Sequence, residues 1–200
     1  MKQFLFLLLS FIFLNCANNH SNLKIEQNVK SISDEEIKKA AVSFHAWYIK
    51  SITDEKNVLV EMKIIEGENG KCQVDYNLYL NELRKLGTVS EKFITSEKLR
   101  MNGCADKISD IDWKEFKEAD AYAYEEFCDF IYYYYWIKRQ EPVSGVEAGE
   151  IERQDNGKIK VVLKLYDEYK GQKQYYDFGS ALLAVENNKL MIVDILIATK

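Results

Sequence analysis

Proline occurs once in the 200 residues and glycine nine times. So little of either excludes a collagen-like, proline-rich or low-complexity chain. Histidine occurs twice, at His20 and His45, both far in sequence from Cys72, Cys104 and Cys128, and no Cys-x-x-Cys pair is present, so the ligand spacing of a zinc box is missing. No metal ion or other cofactor is expected. Asp106, Asp110 and Asp112 lack the glycine and terminal glutamate of a calcium loop. Clustered cations are scarce: Lys138-Arg139 is too short a basic patch for nucleic acid, and the formal net charge is −5. Nucleic acid is therefore not an expected partner. Aromatic residues, by contrast, are abundant, with 13 Tyr, 10 Phe and 3 Trp. Nearly half the chain is hydrophobic, enough for the core of one domain.

The only long apolar run near the N-terminus is Phe4 to Leu14, broken by Ser10 and preceded by Lys2. As a helix it spans about 16 Å, far short of the ~30 Å hydrocarbon core of a bilayer, so it reads as a signal h-region. It ends in Phe13-Leu14-Asn15-Cys16-Ala17, which resembles a bacterial lipobox. The resemblance implies cleavage before Cys16 and diacylation of that cysteine, with membrane attachment through the acyl chains. An ordinary secretory signal is the alternative. The resulting division is a signal peptide over 1–15, a lipidated N-terminus and polar tether over 16–32, and a single α+β domain over 33–200. With Cys16 acylated, an oxidising compartment lets two of Cys72, Cys104 and Cys128 pair. Cys104–Cys128 closes the shortest loop and is the preferred bridge.

The domain divides into a helical first half and a strand-rich second half. Ser33-Asp34-Glu35-Glu36 is a capping box, and Ile37, Ala40, Ala41, Phe44, Trp47 and Tyr48 form a helical stripe running to about Lys50. Val58 to Ile65 is an apolar run of undecided type. Tyr76, Tyr79, Leu80, Leu83 and Leu86 make a second stripe, with Gly87 at the C′ position. Ser90-Glu91 opens a short third helix, and Trp113, Phe116, Tyr124 and Phe127 suggest a fourth. Beyond Pro142, alternating residues such as Ile159, Val161, Leu163 and Leu165 predict four antiparallel strands, joined at Asp155-Asn156-Gly157, Lys170-Gly171 and Asn187-Asn188. The last strand reads as apolar on both faces, Met191, Val193, Ile195 and Ile197 against Leu190, Ile192 and Leu196, so both faces call for cover.

Helices first, a curved meander last and the closing Leu190–Ile195 sequence together resemble the nuclear transport factor two-like superfamily. Phe44-His45-Ala46-Trp47-Tyr48 and Tyr132–Trp136 resemble a family of bacterial lipoproteins within that group. The resemblance implies an α+β cone, with N-terminal helices packed on a curved four-stranded antiparallel meander around a pocket. It does not choose among enzymes, ligand binders and interaction modules.

Two features stand out as site candidates. The run Phe130–Trp136 offers large contact area with polar tips, which makes Tyr132, Tyr134 and Trp136 ligand-binding candidates against a reading as core. Asp194 interrupts an apolar strand face; in a cavity it would be desolvated and act as a general base, whereas near a strand end it would bond a backbone amide. His45, at the margin of the first stripe, reads as a partly exposed packing residue. No catalytic motif is present. The chain thus reads as a non-catalytic, lipid-anchored envelope protein that binds a ligand or protein through an aromatic-lined concave face. A cone-fold enzyme on a small apolar substrate, an envelope inhibitor, and a homodimer formed through the sheet face are the competing readings.

Overall fold

A computed structural model describes residues 32–54, 63–120, 123–124, 126–128 and 134–198. The leader, Cys16, most of the tether and Tyr132 lie outside the described residues. The first helix, α1, spans Asp34–Thr53. Its capping box is closed: Ser33 Oγ accepts from Glu36 N at 3.3 Å, and Glu36 Oε2 accepts from Ser33 N at 3.1 Å. Ile37, Ala41, Phe44, Tyr48 and Ile49 form its buried stripe.

A two-stranded antiparallel hairpin follows, β1 (Lys63–Glu66) with β2 (Cys72–Asp75). β1 takes up the end of the Val58–Ile65 run, whose type the sequence leaves undecided; residues 58–62 lie outside the described residues. A four-residue strand places only two side chains inward, here Cys72 and Val74, which is too few for alternation to register in the sequence. Helix α2 (Asn77–Leu86) ends as its sequence predicts, with Gly87 in the left-handed region at φ 62°.

Helix α3 (Glu91–Ile108) starts where Ser90 Oγ accepts from Phe93 N, yet it is 18 residues long rather than short. Its buried face includes Glu97 and Cys104 beside Phe93, Ile94, Met101 and Ile108, so the apolar stripe is interrupted. Helix α4 (Trp113–Glu118) is correspondingly shorter than predicted. The chain leaves it at Ala119, and Tyr124 stacks on Phe116 from outside, with ring centroids 5.2 Å apart. A disulfide joins Cys104 of α3 to Cys128, with Cα atoms 4.9 Å apart, and Cys72 is a buried thiol. Closing that loop stabilises by about 3 kcal/mol in the chain-entropy account.

Four strands complete the fold: β3 (Gly145–Arg153), β4 (Ile159–Tyr169), β5 (Gln172–Glu186) and β6 (Lys189–Ile197). They form one antiparallel sheet in the order β3-β4-β5-β6. The fold is therefore α+β, helices with a four-stranded antiparallel meander. The turns use the residues the sequence marks: Lys170 and Gly171, then Asn187 and Asn188, all have positive φ. Ile159, Val161, Leu163 and Leu165 of β4 are buried in one hydrophobic cluster with Ile37, Ala41 and Phe44 of α1. The free edge of β6 is met by the segment before α3, where Ile192 N donates to Thr88 O at 2.8 Å and Ser90 N donates to Ile192 O at 2.9 Å.

Each ladder of the sheet carries one register shift, between Ala148 and Ile151, between Leu163 and Lys164, and between Leu182 and Leu183. Bulges bend a strand and re-aim its side chains. In β6 the shift corrects the two-faced reading. Leu183 pairs with Ile192 and Leu182 with Asp194, so Val193 is the extra residue. Ile192 and Val193 are both buried, with Ile192 and Ile195 in the core cluster and Val193 outside it, while Asp194 and Leu196 are exposed. In β5 the extra residue is Phe178, also buried. Gly179 beside it has φ 156°, and a Cβ there would run into the Leu196 carbonyl, so only glycine fits this bulge.

Candidate functional site

The segment 134–139 is the last part of the aromatic run, and it is a tight turn. Tyr134 N donates to Arg139 O at 2.7 Å, while Tyr134 O accepts from Ile137 N and from Lys138 N. Lys138 is in the left-handed region at φ 52°, which disfavours a lysine and is held by these bonds. Inside the turn is the core; outside it is a groove.

On the core side, Trp136 is 5% exposed and does not line an open face. Its Nε1 donates to Tyr79 Oη at 3.0 Å and to Glu97 Oε2 at 3.1 Å. Tyr79 Oη donates to the same Glu97 oxygen at 2.7 Å. Arg100 closes the cluster with a two-pronged contact to Glu97, Nε to Oε1 and Nη2 to Oε2, both at 3.0 Å. Its guanidinium also lies 3.8 Å from the Tyr135 ring centroid. Burial, and then the Glu97 carboxylate, push the Tyr79 phenol well above its usual range, so it stays a donor. A carboxylate so fully engaged anchors structure, and it lies in the lining of neither groove described below.

His45 approaches Trp136 from α1. Its Nε2 is 3.1 Å from Trp136 O and donates to it, which leaves Nδ1 as a buried acceptor with no partner. The ring meets Phe178 edge-on, 4.8 Å between centroids. The residue is fully buried rather than partly exposed, because Phe178, pushed inward by the β5 bulge, packs against it. Burial lowers its pKa to about 3, opposed by the Trp136 carbonyl, so the imidazole is neutral.

The groove outside the turn holds about 570 Å³. Ile137, Leu165 and Phe178 form its apolar floor, and Ile197, the last residue of β6, and Ala198 after it also line it. Lys138, Arg139, Tyr176 and Asp177 supply its polar lining. Arg139 Nη1 donates to Asp167 Oδ2 at 2.9 Å, Tyr176 Oη donates to the same oxygen at 2.9 Å, and the guanidinium lies 4.7 Å from the Tyr176 ring centroid. The Lys138 ammonium is 3.6 Å from the Tyr135 ring centroid. A second groove of about 520 Å³ sits at the β3 bulge, where Asp34, Lys38, Glu150, Arg153 and Lys164 make it mainly charged. Arg153 bridges it to Asp34 at 2.7 Å.

The structure does not gather the sequence-derived candidates. Tyr132 lies outside the described residues. Tyr134 is half-buried against the core, and Trp136 is within it. Asp194 is exposed, while its neighbour Ile195 is in the core cluster, and its Oδ1 accepts from Ile195 N at 2.8 Å. Of its two readings, Asp194 takes that of a backbone-bonded carboxylate rather than a desolvated base, and it does not line the groove. What sequence reading misses is Lys138-Arg139, dismissed as a nucleic-acid patch, and Phe178. Their one legible signal is that two cations directly follow the aromatic run. Among the described residues no group of His, Cys, Asp and Glu is placed to hold a metal ion, and no helix is long and apolar enough to cross a membrane. No protein-family model, curated protein or solved structure matches this chain.

Proposed function

We propose that this protein is a non-catalytic envelope lipoprotein, anchored through Cys16, that binds a small ligand in the groove between the 134–139 turn and the end of β6. The observation that carries the reading is the groove itself: about 570 Å³, with an apolar floor and a few polar groups on its rim, the make-up of a ligand site. The three bulges support a curved sheet of the cone kind, and the lipobox resemblance supports the anchor. The engaged state of Glu97 and the exposure of Asp194 favour binding over catalysis.

The test is a neutral hydrophobic dye such as Nile red, titrated against the purified chain. The dye should bind and brighten, and Ala198→Phe, which fills the groove from its rim, should abolish the signal while the circular dichroism spectrum stays unchanged. Equal dye binding by Ala198→Phe would place the site elsewhere. The anchor is tested separately by labelled palmitate, which should enter the wild-type chain and not Cys16→Ser.

A further inference from the structure

The groove's chemistry is one-sided, and we infer that its ligand is an anionic amphiphile with a single aliphatic chain, a fatty carboxylate. This rests on the reading of the groove as the binding site and names the class of molecule it takes. The floor is made of core side chains: Ile137 and Leu165 are 2% exposed and Phe178 is 5%. Carbon surface offers nothing to the hydroxyl groups of a sugar, whose burial there would leave them unpaired. An alkyl chain loses nothing in the same place.

The polar lining is weighted to cations, with Lys138 and Arg139 against Asp177. Asp177 is the register partner of Lys164 across the β4–β5 ladder. Arg139 is held in place by Asp167 and by the Tyr176 ring. A guanidinium carries five donors, more than the Asp167 oxygen can accept, and a fixed planar fork is the geometry that suits a second carboxylate. Both cations belong to consecutive residues of the turn and both line the groove, Lys138 with its ammonium over the Tyr135 ring and Arg139 with its guanidinium beside Asp167 and the Tyr176 ring. A head at Arg139, with Lys138 beside it, and a chain over Phe178 and Ile197 uses the cationic and the apolar lining.

Calorimetric titration of the purified full chain with decanoate, decanol and a short apolar peptide bearing a free C-terminal carboxylate tests this. Decanoate should bind at least tenfold tighter than decanol. Arg139→Gln and Lys138→Asn should each weaken decanoate about tenfold and leave decanol unchanged. Asn tolerates the left-handed backbone at 138, so this variant stays informative if Arg139→Gln does not fold. Equal affinity for decanol and decanoate would overturn the anionic class and leave the groove reading standing. Tighter binding of the peptide than of decanoate would overturn it in favour of a protein ligand. Binding of none of the three, together with no loss of dye signal in Ala198→Phe, would remove both readings at once.

Discussion

Glu97 and His45 are both buried, both sit on helices and both reach Trp136, yet the fold treats them in opposite ways. Glu97 accepts from Tyr79, Trp136 and both prongs of Arg100. His45 makes one bond, to the Trp136 carbonyl, and its other nitrogen is buried without a partner. The difference follows from charge. A carboxylate cannot enter an interior unless donors replace water around it. An imidazole has a neutral form available in which one nitrogen is a donor and the other a weak acceptor, so one satisfied bond suffices to keep it. The core beneath the groove is thus locked on the α3 side and only half-locked on the α1 side.

The largest effect should come from breaking the locked side. Glu97→Ala leaves Arg100, the Tyr79 hydroxyl and the Trp136 indole without their shared acceptor, and should destabilise by about 4 kcal/mol. Denaturant unfolding monitored by tryptophan fluorescence reads this. The double replacement Glu97→Leu with Arg100→Leu should cost less than Glu97→Leu alone, because no unpaired charge remains. If the single and double variants are equally destabilised, the cluster is packing rather than a charge lock.

The half-locked side should respond to acid. In the unfolded chain His45 titrates near 6.5, and in the fold near 3, so the fold favours the neutral ring. A lowered pKa gives stability that is full above about pH 6.5 and falls as pH drops, by about 1.4 kcal/mol per unit, which is about 2 kcal/mol at pH 5. Glu36 and Glu147 have pKa values lowered from 4.5, by bonds to Ser33 and to Lys173 respectively. Their contributions are lost only below that region, so the interval between pH 4.5 and 6.5 isolates the histidine. His45→Leu should flatten the stability profile there. A variant that keeps the wild-type slope would show that another group carries it.

How much of this was legible depends on whether a residue type announces its own geometry. Ser33 with Glu36, Gly87, Asn187-Asn188 and the lysine-flanked alternation of β4 each fix a backbone conformation or a face locally, and each was readable. The preferred Cys104–Cys128 bridge followed from loop length. The bulges were not readable, because one extra residue at Phe178 or Val193 changes no composition and only shifts phase. The shift in β5 puts Phe178 into the core and the one in β6 puts Ile192 there rather than on the face of Asp194, so the two bulges decide the site candidates. The length of α3 was hidden for a related reason: Glu97 interrupts its stripe, and nothing local says that Arg100, Tyr79 and Trp136 will meet it.

The smallest effect should come from the outer side of the same turn. Lys138→Asn removes a cation–π contact with Tyr135, which contributes about 0.5 kcal/mol at an exposed site. It also relieves a left-handed backbone that suits asparagine better than lysine, a gain of similar size. The two nearly cancel, so unfolding free energy should move by less than about 0.5 kcal/mol. Two residues upstream, Trp136→Ala should cost about 4 kcal/mol, the usual consequence of emptying a buried aromatic site. Comparable losses for the two variants would mean that the turn is one structural unit with no side given over to the groove. A near-neutral Lys138→Asn beside a badly destabilised Trp136→Ala would place the boundary between core and groove at Ile137, whose side chain belongs to both.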